Sequence, residues 1–206
     1  RLLPLFIIHI LIIVIYSHGH PGLVTGETRY YTDAMKLIEH GEQAVGKDPV
    51  PWNGPGFPLF LVPFVLLHAP NIVMRIANAV LMLLASLYLL RSLRYYVAKR
   101  WAYLAVYCMG LYPVLLKYMP KIITEPFCVF LSCGLVFHMI HMKRFPGRRW
   151  LHLVLAGVYF GFLALTKVLF GYVIAVAIVL FLVTALIRRK RSALRPLLVA
   201  VIALAV

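Results

Sequence analysis

Carboxylate is the scarcest chemistry in this chain: 206 residues hold only 6 Asp and Glu against 21 Lys and Arg, a formal net charge of +15. So few acids exclude an acidic surface or a dense acidic ion cluster, and they make the position of each carboxylate informative. Cysteine is scarce as well. Cys108, Cys128 and Cys133 offer neither a disulfide framework nor a zinc spacing. Each falls in an apolar stretch, where a thiol is expected to pack as a small apolar residue. Extended polar sequence is missing too: 63% hydrophobic residues and a mean hydropathy of +0.92 leave no room for an ordinary soluble domain.

What remains is a series of apolar stretches punctuated by basic clusters. Arg91, Arg94, Lys99 and Arg100 form the first, Lys143, Arg144, Arg148 and Arg149 the second, and Arg188, Arg189, Lys190, Arg191 and Arg195 the third. Lys and Arg in short loops stay on the cytoplasmic side of a membrane, so all three clusters are expected there. Roughly forty residues separate successive clusters, enough for two crossings of about 20 residues each. An outward and a return helix are expected in each interval, turning at Lys117–Lys121 and at Thr166-Lys167. The helix from about Asn71 to Leu90 then starts outside, and a first span covers Leu2 to Tyr16. Residues 18–70 are external by this count, and they hold Glu27, Asp33, Glu39, Glu42 and Asp48; Glu125 follows the outer turn at Lys121.

All the acids therefore fall on one side of a multi-pass protein of the plasma or inner membrane. The basic clusters read as an orientation signal and as contact with anionic lipid headgroups. Nucleic acid is excluded as a partner, because the basic residues sit in short loops between spans rather than along one soluble face. The chain is expected to be the N-terminal part of a longer protein, one transmembrane domain over residues 1–206. Its first span is read as a retained anchor, since Ser17-His-Gly-His-Pro21 is a poor small-residue cleavage site.

Within the external segment, a helix from Thr28 to Gln43 places Tyr30, Ala34, Leu37 and Ile38 on one face, as expected of a helix lying along the bilayer. Gly and Pro then crowd residues 41–58 and impose turns. The apolar run from Phe57 to His68, about 12 residues, has the length of a re-entrant or interfacial element rather than a span.

Several short motifs appear in order. Gly26-Glu-Thr-Arg-Tyr30 is followed by Ala34, Leu37 and Gly41; then come Gly54-Pro-Gly-Phe-Pro58, Arg75 with Asn78, Tyr112-Pro113, Thr124-Glu125-Pro126 and Leu165-Thr166-Lys167. Together they resemble the GT-C glycosyltransferases of the protein-mannosyltransferase and aminoarabinose-transferase kind. The resemblance implies an all-α, polytopic transmembrane bundle with juxtamembrane helices in its first external loop. It further implies a transferase that takes a sugar from a polyprenyl-phosphate donor and passes it to a lipid, glycan or protein acceptor outside the cytoplasm. One departure stands out: family members often carry Asp, or an Asp-Glu pair, where this chain has Gly26-Glu27.

The chemistry fits these residues. Transfer to a hydroxyl or amine needs a base for the acceptor's proton and cations for the departing phosphate. Glu27 is expected to be the base, by the resemblance and by its place just outside the first span, with Glu125 orienting the acceptor or assisting. Arg29, Arg75, Lys121 and Lys167 are the external cations that could clamp the phosphate, and Trp52 and Tyr30 are candidate contacts for sugar or lipid. One-step attack opposite the leaving group makes the reaction inverting. No cofactor is called for, and a divalent metal is left open. Blander readings compete: Glu27 and Glu125 as helix caps, Lys167 snorkelling to headgroups, His138 and His141 as interfacial packing. The alternative for the whole protein is a non-enzymatic one, a lipid or solute transporter or an envelope scaffold. A transporter would place paired charges near the bilayer midplane, whereas these cluster at the boundary.

Overall fold

The computed structural model describes residues 1–41 and 54–187. Among the described residues there are nine α-helices: α1 (Leu3–Gly19), α2 (Thr25–His40), α3 (Gly56–Leu66), α4 (Asn71–Leu93), α5 (Lys99–Gly110), α6 (Pro113–Tyr118), α7 (Thr124–Arg144), α8 (Arg149–Thr166) and α9 (Val168–Ile187). A 3-10 turn, Pro146–Arg148, joins α7 to α8, and there is no strand among the described residues. The all-α expectation holds. Helices α4, α7 and the Pro146–Thr166 stretch containing α8 are each long and apolar enough to cross a membrane. The chain is a membrane protein.

Contacts between helices sort the bundle into two ends. Helix α4 carries Arg75 near its start and Arg91 near its end and packs along α7, which carries Glu125 near its start and Arg144 at its end; α8 then returns along α7 from Arg149 to Thr166. Helix α1, about 25 Å long at 1.5 Å per residue, lies antiparallel to α4. Leu5 packs with Leu90, Ile13 with Ala79 and Met82, and Ser17 meets Arg75. One end of the bundle thus gathers Glu27, Arg75, Glu125 and Lys167, and the other gathers Arg91, Arg144 and Arg149.

The single outward helix expected between Arg100 and Lys117 is instead two pieces. Pro113 has no amide hydrogen to continue α5 and forces Tyr112 into an extended conformation, so α5 stops at Gly110 and α6 restarts at Pro113. Together the pieces still run antiparallel to α4, with Ala102 and Val106 near Leu90 and Leu115 and Met119 near Ala79 and Met82. His9 Nε2–H donates to the Gly110 carbonyl at 2.9 Å, holding the break against α1.

Helix α2 begins at Thr25, three residues before the expected start, which puts Glu27 in its first turn. It ends where Gly41 adopts φ 66, a left-handed cap that glycine reaches without strain. Ala34 is fully buried against Phe57 and Leu61 of α3. Helix α3 does not carry the chain to the other end: Gly54 N–H donates to Thr166 O before it, and Asn71 Nδ2–H donates to Pro21 O after it. Both anchors lie at the Glu27 end.

The approach of Gly54 and Gly56 to the α8–α9 corner is close. A Cβ on Gly54 would overlap the Leu165 carbonyl oxygen, and one on Gly56 would overlap the Thr166 hydroxyl and amide. Gly54→Ala should therefore lower stability by about 1–3 kcal/mol, the usual cost of overpacking. Gly161, in α8, has nothing within 4 Å of a built Cβ. Gly161→Ala should be neutral or stabilising by about 0.5–1 kcal/mol, since it removes backbone freedom from a helix interior. Thermal unfolding of the full-length protein in detergent checks both; equal destabilisation by the two variants would contradict the close approach.

Candidate functional site

Glu27 and Arg75 form a buried ion pair with side chains 1% and 0% exposed. All five guanidinium N–H groups are used. Nε donates to Glu27 Oε1 at 3.2 Å, Nη2 to Glu27 Oε2 at 2.8 Å and to Gly22 O at 2.9 Å, and Nη1 to His20 O at 2.7 Å and Ser17 Oγ at 3.4 Å. The carboxylate is as fully occupied: Oε2 also accepts from Val24 N–H at 2.8 Å, capping α2, and Oε1 from Ile122 N–H at 2.9 Å. Glu27 thus carries four hydrogen bonds, about the number of lone-pair positions a carboxylate has. Arg75 was expected among the phosphate clamps; its donors are instead all taken by the protein. Glu27, the expected base, faces Arg75 and the Ile122 amide.

One turn further along α4, Asn78 Nδ2 donates to Met119 O at 3.0 Å and to Lys121 O at 2.6 Å. Arg75 through Glu27, and Asn78 directly, therefore fix the backbone of residues 119–122. That segment leads straight into α7 and places Glu125 in its first turn, where the helix dipole favours a carboxylate.

Glu125 faces a different partner. Lys167 Nζ donates to Glu125 Oε1 at 3.2 Å, with side chains 31% and 39% exposed, and Thr124 Oγ1 donates to Glu125 Oε2 at 3.4 Å. Lys167 sits at the C-cap of α8 in an extended conformation, which turns its side chain out of the helix. Burial disfavours its ammonium, but attraction to Glu125 and the hydrogen bond outweigh that, so its pKa lies above the usual lysine value. Tyr30 of α2 completes the cluster. Its ring meets Phe57 edge-on at 5.1 Å, and its phenol pKa is raised by burial, with Thr124, Glu125 and Lys167 as charged or hydrogen-bonding neighbours.

Glu125 and Lys167 stand in the wall of a cavity of about 580 Å³ between α5, α6, α7 and the start of α9. The rest of its lining is mainly apolar: Cys108, Met109, Tyr112, Val114, Leu115, Tyr118, Cys128, Val129, Leu169 and Phe170. A pocket combining one ion pair with an apolar wall can hold a charged head and a hydrocarbon chain together. Sequence reading missed Tyr112, Tyr118 and the two cysteines as lining; the signal was Pro113, whose break in the helix shapes this wall. Cys108 is exposed rather than buried.

The other candidates are dispersed. Arg29 pairs with Asp33 at 3.8 Å on the outer face of α2. Lys121 lays its ammonium over the Tyr118 ring at 5.8 Å, at the cavity's edge but not in its lining. Trp52 lies outside the described residues. At Gly26 a Cβ would meet nothing within 4 Å, so there is room for the side chain this chain lacks. Among the described residues no group of three or more His, Cys, Asp or Glu is arranged to hold a metal ion.

The two pairs should respond differently to mutation. Glu27→Gln strands a buried guanidinium, so the unfolding free energy should fall by about 3–5 kcal/mol. Arg29→Gln breaks a looser, partly exposed pair at 3.8 Å and should cost about 0–1 kcal/mol. Denaturant titration of the full-length protein in detergent measures both; a Glu27→Gln transition coinciding with wild type would contradict the structural role.

Residues 52–206, 155 of the 206 in the chain, match the dolichyl-phosphate-mannose-protein mannosyltransferase family. The matched stretch contains Arg75, Asn78, Lys121, Glu125 and Lys167, while Glu27 and Tyr30 precede it. Comparison with curated proteins and with solved structures found no match. With an apolar helical scaffold and a match over most of its length, the chain belongs to the dolichyl-phosphate-mannose-protein mannosyltransferase family, a GT-C type of membrane glycosyltransferase.

Proposed function

We propose that the protein transfers a sugar from a polyprenyl-phosphate donor to a lipid, glycan or protein acceptor at the extracytoplasmic face, with Glu125 and Lys167 as the working pair. The observation that carries this reading is their placement: a carboxylate and an ammonium, both partly open, in the wall of an apolar cavity large enough for a lipid-borne head. Lys167 meets the donor phosphate and gives up its bond to Glu125. The freed carboxylate then takes the proton of the acceptor hydroxyl or amine. The acceptor atom bonds to the anomeric carbon as the bond from that carbon to the phosphate oxygen breaks, and polyprenyl phosphate leaves with the electron pair, held by Lys167 and, at the rim, by Lys121. Attack opposite the leaving group inverts the anomeric centre. Glu27 and Arg75 act through the backbone, as positioning residues that hold the start of α7.

The extracytoplasmic placement is supported by the basic residues, which cluster at the end of the bundle remote from Glu125, as cytoplasmic Lys and Arg do. In a variant without its three native cysteines, Glu39→Cys should react with an impermeant thiol reagent on intact cells, and Arg148→Cys only after permeabilisation. The reverse pattern would invert the topology.

Activity of the full-length protein tests the roles. Glu125→Gln keeps the shape and removes the base, so turnover should fall by a factor on the order of 10² to 10⁴, with donor binding unchanged or tighter. Lys167→Ala should chiefly weaken donor binding. Normal transfer by a folded Glu125→Gln variant would end the proposal.

A further inference from the structure

The end of the bundle remote from Glu27 has a cavity of its own. A space of about 520 Å³ lies between the last turn of α7, the 3-10 turn and the start of α8, lined by His141, Arg144, Arg148 and His152 together with Phe145, Pro146 and Gly147. Nothing in residues 137–153, or in 91–100 where α4 ends beside them, is acidic. Among the described residues neither Arg144 nor Arg148 has a carboxylate partner.

The wall is held in place by its own contacts. A carbonyl oxygen only accepts, so the bond of 2.9 Å from His141 to Phe137 O places the proton on Nδ1, and Nε2 accepts the Tyr95 hydroxyl at 3.1 Å. The Arg144 guanidinium lies over that same Tyr95 ring, 5.1 Å from its centroid, which holds it at the cavity wall. His152 Nδ1 stands 3.0 Å from His138 Nδ1 across the α7–α8 interface.

We propose that this cavity binds the phosphate of an anionic phospholipid headgroup. Two guanidinium forks on one cavity match the oxygens of a phosphate ester, which Arg contacts bidentately. The position selects a lipid over a soluble anion: the cavity lies where α7 ends and α8 begins, at the polar limit of two membrane-length helices, and Phe145 and Pro146 supply an apolar side next to the charge. The site is separate from the Glu125 cavity, and the inference does not depend on the reaction proposed for it.

The test is native mass spectrometry of the full-length protein released from nanodiscs of phosphatidylglycerol and phosphatidylcholine in equal parts. Phosphatidylglycerol should be retained preferentially, and the preference should fall roughly thirtyfold in the Arg144→Gln, Arg148→Gln double variant, about fivefold for each guanidinium. Arg148→Gln alone, at an exposed turn, should lose the single fivefold step and serves if the double variant does not fold. Arg91→Gln with Arg94→Gln, basic residues at the same end that do not line the cavity, should keep the preference. An equal loss in that control would assign the effect to diffuse surface charge and overturn the proposal. Displacement of the lipid by millimolar inorganic phosphate would make the ligand a soluble anion, and no preference for phosphatidylglycerol would leave no site at all; either result overturns it.

Discussion

The Glu27–Arg75 pair is the constraint on which the rest of the site depends. Removing two charges from water costs several kcal/mol per ion, and the structure offsets this only by satisfying every donor and acceptor of both groups. What such a pair contributes is geometry more than stability. It ties the end of α1, the first turn of α2, the start of α4 and the turn before α7 to one point. None of these elements can shift without leaving a buried charge unpaired. Glu125 is three residues beyond Ile122, so its α-carbon stays within about 11 Å of that anchor.

On the proposed function the two carboxylates divide the labour differently from the sequence expectation, which made Glu27 the base and Glu125 its assistant. Glu27 has four fixed donors on its carboxylate, so it presents no open acceptor position to a third molecule. Glu125, with one ammonium and one hydroxyl as neighbours and a third of its surface or more open, can exchange partners. The scarcity of acids sharpens the division. Among the described residues Lys167 pairs with Glu125 alone, so on the proposed function an incoming phosphate competes for it directly.

Much of this was legible in the sequence. Apolar runs and basic clusters fixed the helical class and the antiparallel order of the long helices, and the short run after Gly56 was readable as a returning element because 11 residues of helix are too short to span. Thr166-Lys167 was readable as a corner because a lysine interrupts an apolar stretch. Other features were not legible. Glu27 and Glu125 look alike in sequence, since each precedes an amphipathic or apolar helix, and only three-dimensional contacts with Arg75 and Ile122 separate the closed carboxylate from the open one. Arg75 resembled a phosphate clamp because a lone arginine near the start of a span has no visible partner; its partner is 48 residues away. Pro113 marked the broken helix, but what the break opens onto depends on α7 and α9, which local sequence does not report.

The contact between Gly54 and the Leu165–Thr166 backbone separates the corner that carries Lys167 from the chain that precedes Gly54. The connection between α2 and α3 is bounded by a glycine cap at Gly41 on one side and by this backbone bond on the other. Insertions or exchanges between those two anchors leave Lys167 where it is, because the corner that carries it is gripped downstream of them. On the proposed function, changes confined to that connection leave the cation and its cavity constant.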